Sequence, residues 1–76
     1  MKNDRYYRYL NLIAERVTAL QSDGYMIRVR SVNRVAFFYN LVHHRNGNRI
    51  NLSGSFINGT MTQSRNGKKV YDGEII

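Results

Sequence analysis

The sequence predicts an α+β fold, with one N-terminal helix packed on one face of a five-stranded antiparallel meander. Three observations predict it. Apolar residues recur at helical spacing over residues 4–22, the pattern changes to period two from Tyr25 onward, and three Asn-Gly pairs punctuate the rest of the chain. With 76 residues the chain has room for one domain, 1–76, and one modest core.

The helix comes first. Asn3 or Asp4 can cap it, and Tyr6, Leu10, Ile13, Val17 and Leu20 then recur at spacings of four, three, four and three. At about 100° per residue they fall within an arc of roughly 80°, with Tyr7 and Ala14 beside it. Arg5, Arg8 and Arg16, surrounding Leu12, fall on the opposite side and read as solvated surface. Gly24 can take the left-handed position that ends a helix.

In the next segment Tyr25, Ile27 and Val29 alternate with Met26, Arg28 and Arg30, before the run from Val35 to His44. Asn46-Gly47, Asn58-Gly59 and Asn66-Gly67 are hairpin signals, because type I′ turns need two residues at positive φ. Strands are therefore expected at about 25–31, 34–45, 48–57, 60–65 and 68–73, paired in sequence order. A two-residue turn at Asn46-Gly47 sets Leu41 opposite Leu52, Phe37 opposite Phe56, His43 opposite Ile50, and Tyr39 over Gly54. A turn at Asn58-Gly59 sets Phe56 opposite Met61, and the last hairpin places Thr62 near Tyr71 and Ser64 near Lys69. This register separates an apolar face from a polar one. The expected core is Tyr6, Leu10, Ile13, Val17, Leu20, Ile27, Val29, Val35, Phe37, Leu41, Leu52, Phe56 and Met61, with Val70 and Asp72 on the same side.

Composition limits the function. No cysteine is present, so disulfides, thiolate metal sites and a thiol nucleophile are excluded. The serines lack a base with an orienting acid, and five acids at the helix and tail offer no spacing that pairs two of them. His43 and His44 should point to opposite strand faces and so chelate nothing together. No catalytic residue, metal or cofactor is expected. No apolar run approaches the ~20 residues of a membrane helix, no membrane partner is expected, and a cytoplasmic setting fits a cysteine-free chain without an apolar leader.

Charge is more informative. Net charge is +7, and from Gly24 to Tyr71 there are eight basic residues and no Asp or Glu. Such a region carries positive potential over much of its surface. The sheet face that the helix leaves open should present Arg28, Arg30, Phe38, Asn40, His44, Arg49, Asn51, Lys69 and Tyr71. The loops flanking Asn46-Gly47 and Asn66-Gly67 add Arg45, Arg65 and Lys68 at one end. Cations suit phosphates, amides and hydroxyls suit sugars and base edges, and aromatic planes suit stacking. The expected function is non-catalytic binding of nucleic acid, RNA or single-stranded DNA. The alternative is a protein-interaction module or small inhibitor, anchored by Phe38, Val42 and Met26, that meets an acidic partner protein or pairs as a homodimer. An aromatic strand of the RNP1 type, a GXXG loop and zinc-finger spacings are all absent.

Overall fold

A computed structural model describes residues 4–76. Helix α1 (Asp4–Ser22) precedes β1 (Tyr25–Val32), β2 (Ala36–His43), β3 (Arg49–Ser55), β4 (Thr60–Arg65) and β5 (Lys68–Glu74). The strands form one antiparallel sheet in sequence order, as the meander reading expects. The side chains of the expected cap, Asn3 or Asp4, lie outside the described residues. At its other end α1 stops at Gly24, whose φ of +107° is easily reached by a residue without Cβ.

The core lies between α1 and one sheet face. Ile13 and Val17 of α1 meet Tyr25, Phe37, Tyr39, Leu41, Ile50, Leu52, Phe56, Met61 and Ile75. Tyr6, Tyr9, Leu10, Leu12, Leu20, Val32 and Tyr71 pack against that cluster. The buried stripe of the helix is therefore wider than the sequence arc and takes in Tyr9 and Leu12. Arg16, expected in solvent, is half-buried; its guanidinium donates to Gln63 Oε1 (3.3 Å) and lies over the Tyr71 ring. Its long apolar stem explains the position.

Two of the three turns differ from expectation. Only Asn66-Gly67 is a two-residue turn with both residues at positive φ (52° and 86°), between the paired residues Arg65 and Lys68. At Asn46-Gly47 and Asn58-Gly59 the asparagine is not at positive φ, and each pair ends a four-residue loop, His44–Gly47 and Phe56–Gly59. Loops of that length turn on a type I geometry and close with a left-handed residue. The longer loops slip both registers by two. Leu41 faces Ile50, Tyr39 faces Leu52, Phe37 faces Gly54, and Gly54 faces Met61. Because the strand period is two, the slip leaves every side chain on its expected face. The ring over Gly54 is thus Phe37, not Tyr39.

A β-bulge in each edge strand does change faces. In β1 the extra residue is Arg28: Ile27 still opposes Leu41, but Val29 opposes Asn40 and Arg30 opposes Tyr39. Val29 therefore moves to the outer face, Arg30 to the helix side, and Val32 enters the core margin opposite Phe37. Ile27, Val29 and Val35, all expected in the core, are exposed. In β5 the extra residue is Val70, which is exposed, and Tyr71 takes the helix-side position opposite Gln63. Asp72 is carried to the outer face opposite Thr62. The exchange buries the larger apolar body of tyrosine, whose hydroxyl donates to Glu74 O (2.6 Å). Ser64 does oppose Lys69.

Candidate nucleic-acid interface

Along the outer face, the antiparallel pairing aligns residues into rungs that run across the strands. Val29, Asn40, Asn51, Ser64 and Lys69 form one, and Ser31, Phe38, Ser53, Thr62 and Asp72 form the next. A shorter rung, Met26–Val42–Arg49, lies at the end of the sheet near the β2–β3 loop. The centre of the face is polar, and Asn40 Nδ2 donates to Asn51 Oδ1 (2.6 Å). Of the residues expected on this face, Phe38, Asn40, Arg49, Asn51 and Lys69 lie there. Arg30 and Tyr71 do not, because of the two bulges, and Arg28 is itself the extra residue of the first. The face therefore carries one aromatic side chain where two were expected.

The loops at one end of the sheet are joined. Asn66 donates its backbone N–H to Arg49 O (2.8 Å), its Oδ1 accepts the Arg49 N–H (2.9 Å), and its Nδ2 donates to Asn48 Oδ1 (3.2 Å). Asn48 N–H in turn donates to Asn46 Oδ1 (2.9 Å). One asparagine thus holds the β4–β5 turn against the β2–β3 loop and sets Arg45, Arg49, Arg65, Lys68 and Lys69 around a common end, as the sequence placed them, with Arg49 and Lys69 on the outer face and Arg65 and Lys68 in line with Ile50 on the helix side. Asn66→Ala removes these side-chain bonds and leaves alanine at a φ of +52°. A loss of about 1–2 kcal/mol in denaturant unfolding is expected, with Asn66→Gly losing less.

His43 and His44 form the third side of this end. Their rings stack, with centroids 5.1 Å apart and planes at 15°, and do not point to opposite faces, because the strand ends at His43 and the chain folds back. His43 Nδ1 accepts the Arg45 N–H (3.1 Å), so its Nε2 carries the proton donated to Asp23 O (2.9 Å). His44 Nδ1 donates to Gly24 O (2.9 Å). The His43 ring supplies a donor to the Asp23 carbonyl at the end of α1, the His44 ring adds a second donor to Gly24 O, which already accepts the His44 backbone N–H (3.0 Å), and His43 fixes the backbone that carries Arg45. Sequence pattern cannot show this link, since it depends on where α1 ends against the β2–β3 loop.

Among the described residues the one ion pair is Lys69 Nζ to Asp72 Oδ2 (3.1 Å). Hydrogen bonds from Lys69 and then Thr62 hold the Asp72 carboxyl below its ordinary value of 3.8. A carboxyl lowered in the folded state contributes stability at pH above its unfolded value and loses it as pH falls through the folded value. In Lys69→Ala the Asp72 titration, followed by NMR of its side-chain carbonyl carbon, is expected to move up toward 3.8.

The remaining described arginines are dispersed. Arg34 lies over the Tyr6 ring, and Arg5 and Arg8 lie against Tyr9. These last line a cleft of about 430 Å³ between α1 and the β3–β4 loop, where the Glu74 carboxylate would compete with any bound anion. Among the described residues no three His, Cys, Asp or Glu are grouped to hold a metal ion, and no helix is long and apolar enough to cross a membrane. Compared with protein families, curated proteins and solved structures, the chain finds no match.

Proposed function

We propose that this chain is a non-catalytic nucleic-acid-binding module that grips the phosphate backbone with Arg45, Arg49, Arg65, Lys68 and Lys69. The observation that carries the reading is the cross-linked end of the sheet: five cations on or beside two loops joined by Asn66 and His43, with Asp72 the one acid bonded to any of them among the described residues. Cations carried on a fixed backbone lose little loop entropy on binding, and they release counterions from a polyanion. From this end a strand can pass over the Asn40, Asn51, Ser53 and Thr62 polar groups toward Phe38, which suits unpaired bases better than a duplex groove.

Fluorescence anisotropy with labelled single-stranded RNA, single-stranded DNA and a duplex of equal length tests this. Four or five phosphate contacts give a log–log salt slope of about −3 on a single strand, so affinity should fall roughly 50- to 100-fold between ~50 and ~200 mM salt. Undetectable binding at ~50 mM salt ends the proposal, and equal affinity for the duplex removes its single-strand component.

A further inference from the structure

The corner of the outer face formed by β1 and β2 differs from the rest. Met26 and Val42 oppose each other, and Val29 and Phe38 lie on the next two rungs. Met26, Val29 and Phe38 are 55%, 49% and 38% exposed. The β1 bulge moves Val29 onto this corner and makes the patch continuous. Phosphates and sugars offer little to aliphatic side chains, so nucleic-acid binding leaves Met26, Val29 and Val42 unexplained.

We infer that this corner is a docking surface for an acidic protein segment, one that presents carboxylates around two or three apolar side chains. Charge decides the partner. Residues 24–71 contain no acid, Arg49 shares a rung with Val42, and Arg28 and Arg45 adjoin the same corner in sequence. Apolar anchors with an arginine border match a desolvated centre and polar rim on the other side, with opposite charge. A second copy would bring the same arginines against each other. The approach is to the face and not the edge, because the bulge at Arg28 interrupts the ladder that an added strand would extend. Phe38, Arg45 and Arg49 belong to both surfaces, so the acidic segment and a nucleic acid exclude one another. This exclusion alone rests on the proposed function; the docking surface does not.

Selection of a displayed library of random twelve-residue peptides on the whole protein, repeated on Phe38→Ser and Met26→Thr, tests the inference. Enriched peptides should combine carboxylates with apolar side chains. Their affinity should fall about tenfold or more with Phe38→Ser, and should stay within about twofold with Arg65→Ala, which is outside the corner. Both outer-face variants should keep the wild-type circular dichroism spectrum. No enrichment, or peptides that lack acids, or acidic peptides that bind Phe38→Ser equally well, overturns it. Light scattering that shows a dimer converted to monomer by Phe38→Ser makes a second copy the occupant and also overturns it. So does NMR in which a single-stranded oligonucleotide shifts the Met26 and Val29 methyls as strongly as the loop amides. Failure of oligonucleotides to bind bears on the nucleic-acid reading and leaves peptide selection as the measure of this surface.

Discussion

Gly54→Ala is expected to destabilise the chain by about 3 kcal/mol, and a thermal melt should show a fall of roughly 12–24 °C. Gly54 lies on the core side of β3, between Phe37 of β2 and Met61 of β4. A Cβ there would clash with Thr60 O and stand 2.7 Å from the Phe37 ring. The Thr60 carbonyl is backbone, and moving it disturbs the pairing of Ser55 with Thr60 that opens the β3–β4 hairpin. The Phe37 ring is no freer. It packs on Phe56 with centroids 5.0 Å apart, and Phe56 meets Tyr6 of the helix at the same separation. One methyl group at position 54 therefore pushes along a line of three aromatic rings that joins sheet to helix. Gly47→Ala supplies the contrast: nothing lies within 4 Å of its Cβ, and the cost is that of a φ of +75°, about 1–2 kcal/mol. If Gly54→Ala melts no lower than Gly47→Ala, steric contact at Gly54 is not what keeps this position a glycine.

The same glycine shows how far sequence reasoning reaches. Cross-strand pairing predicts an aromatic ring over Gly54, but it selects Tyr39 where Phe37 stands. The Asn-Gly signal marks a turn without stating whether the pair makes the whole turn or closes a longer loop. Only Asn66-Gly67 makes the whole turn. The core is little affected, since a slip of two leaves Leu41, Leu52, Phe37 and Met61 facing inward. The helix is legible because its apolar spacing repeats from Tyr6 to Leu20, enough to fix a face even though Tyr9 and Leu12 escape the pattern.

The bulges are not legible, and the functional surface depends on them. Nothing in Ile27-Arg28-Val29 or Val70-Tyr71 announces an extra residue, because an edge strand has one neighbour and tolerates the break. Those two irregularities remove Arg30 and Tyr71 from the outer face and bring Val29 and Asp72 to it. The face is less basic and less aromatic than alternation implies, while its β1–β2 corner is more apolar. The loop cluster survives because alternate turns of a meander share an end whatever the register.

Replacing Arg45, Arg49, Arg65 and Lys68 together by Ala should flatten the salt dependence of oligonucleotide binding from a slope of about −3 to near −1. It should also cut affinity at ~50 mM salt by a factor of 100 or more, on the order of 1 kcal/mol for each phosphate no longer held. The effect should be similar for all sequences, since backbone contacts carry no base information. Folding should change little, because these side chains hold no ion pair among the described residues and the Asn66 and His43 bonds use backbone groups of Arg45 and Arg49. Lys69 is excluded from this set because Asp72 already engages it. That pairing makes a sharper expectation. Lys69→Ala alone should weaken binding less than Arg49→Ala, since a bridged lysine gives up its carboxylate before it meets a phosphate. Asp72→Asn should strengthen binding, because it frees Lys69 and removes the acid bonded to it. If Asp72→Asn leaves affinity unchanged while the fourfold variant loses it, the strand leaves the cationic end without crossing the β5 side of the sheet. If neither variant changes affinity, the five cations are ordinary solvated charges and nucleic acid is held elsewhere on the chain.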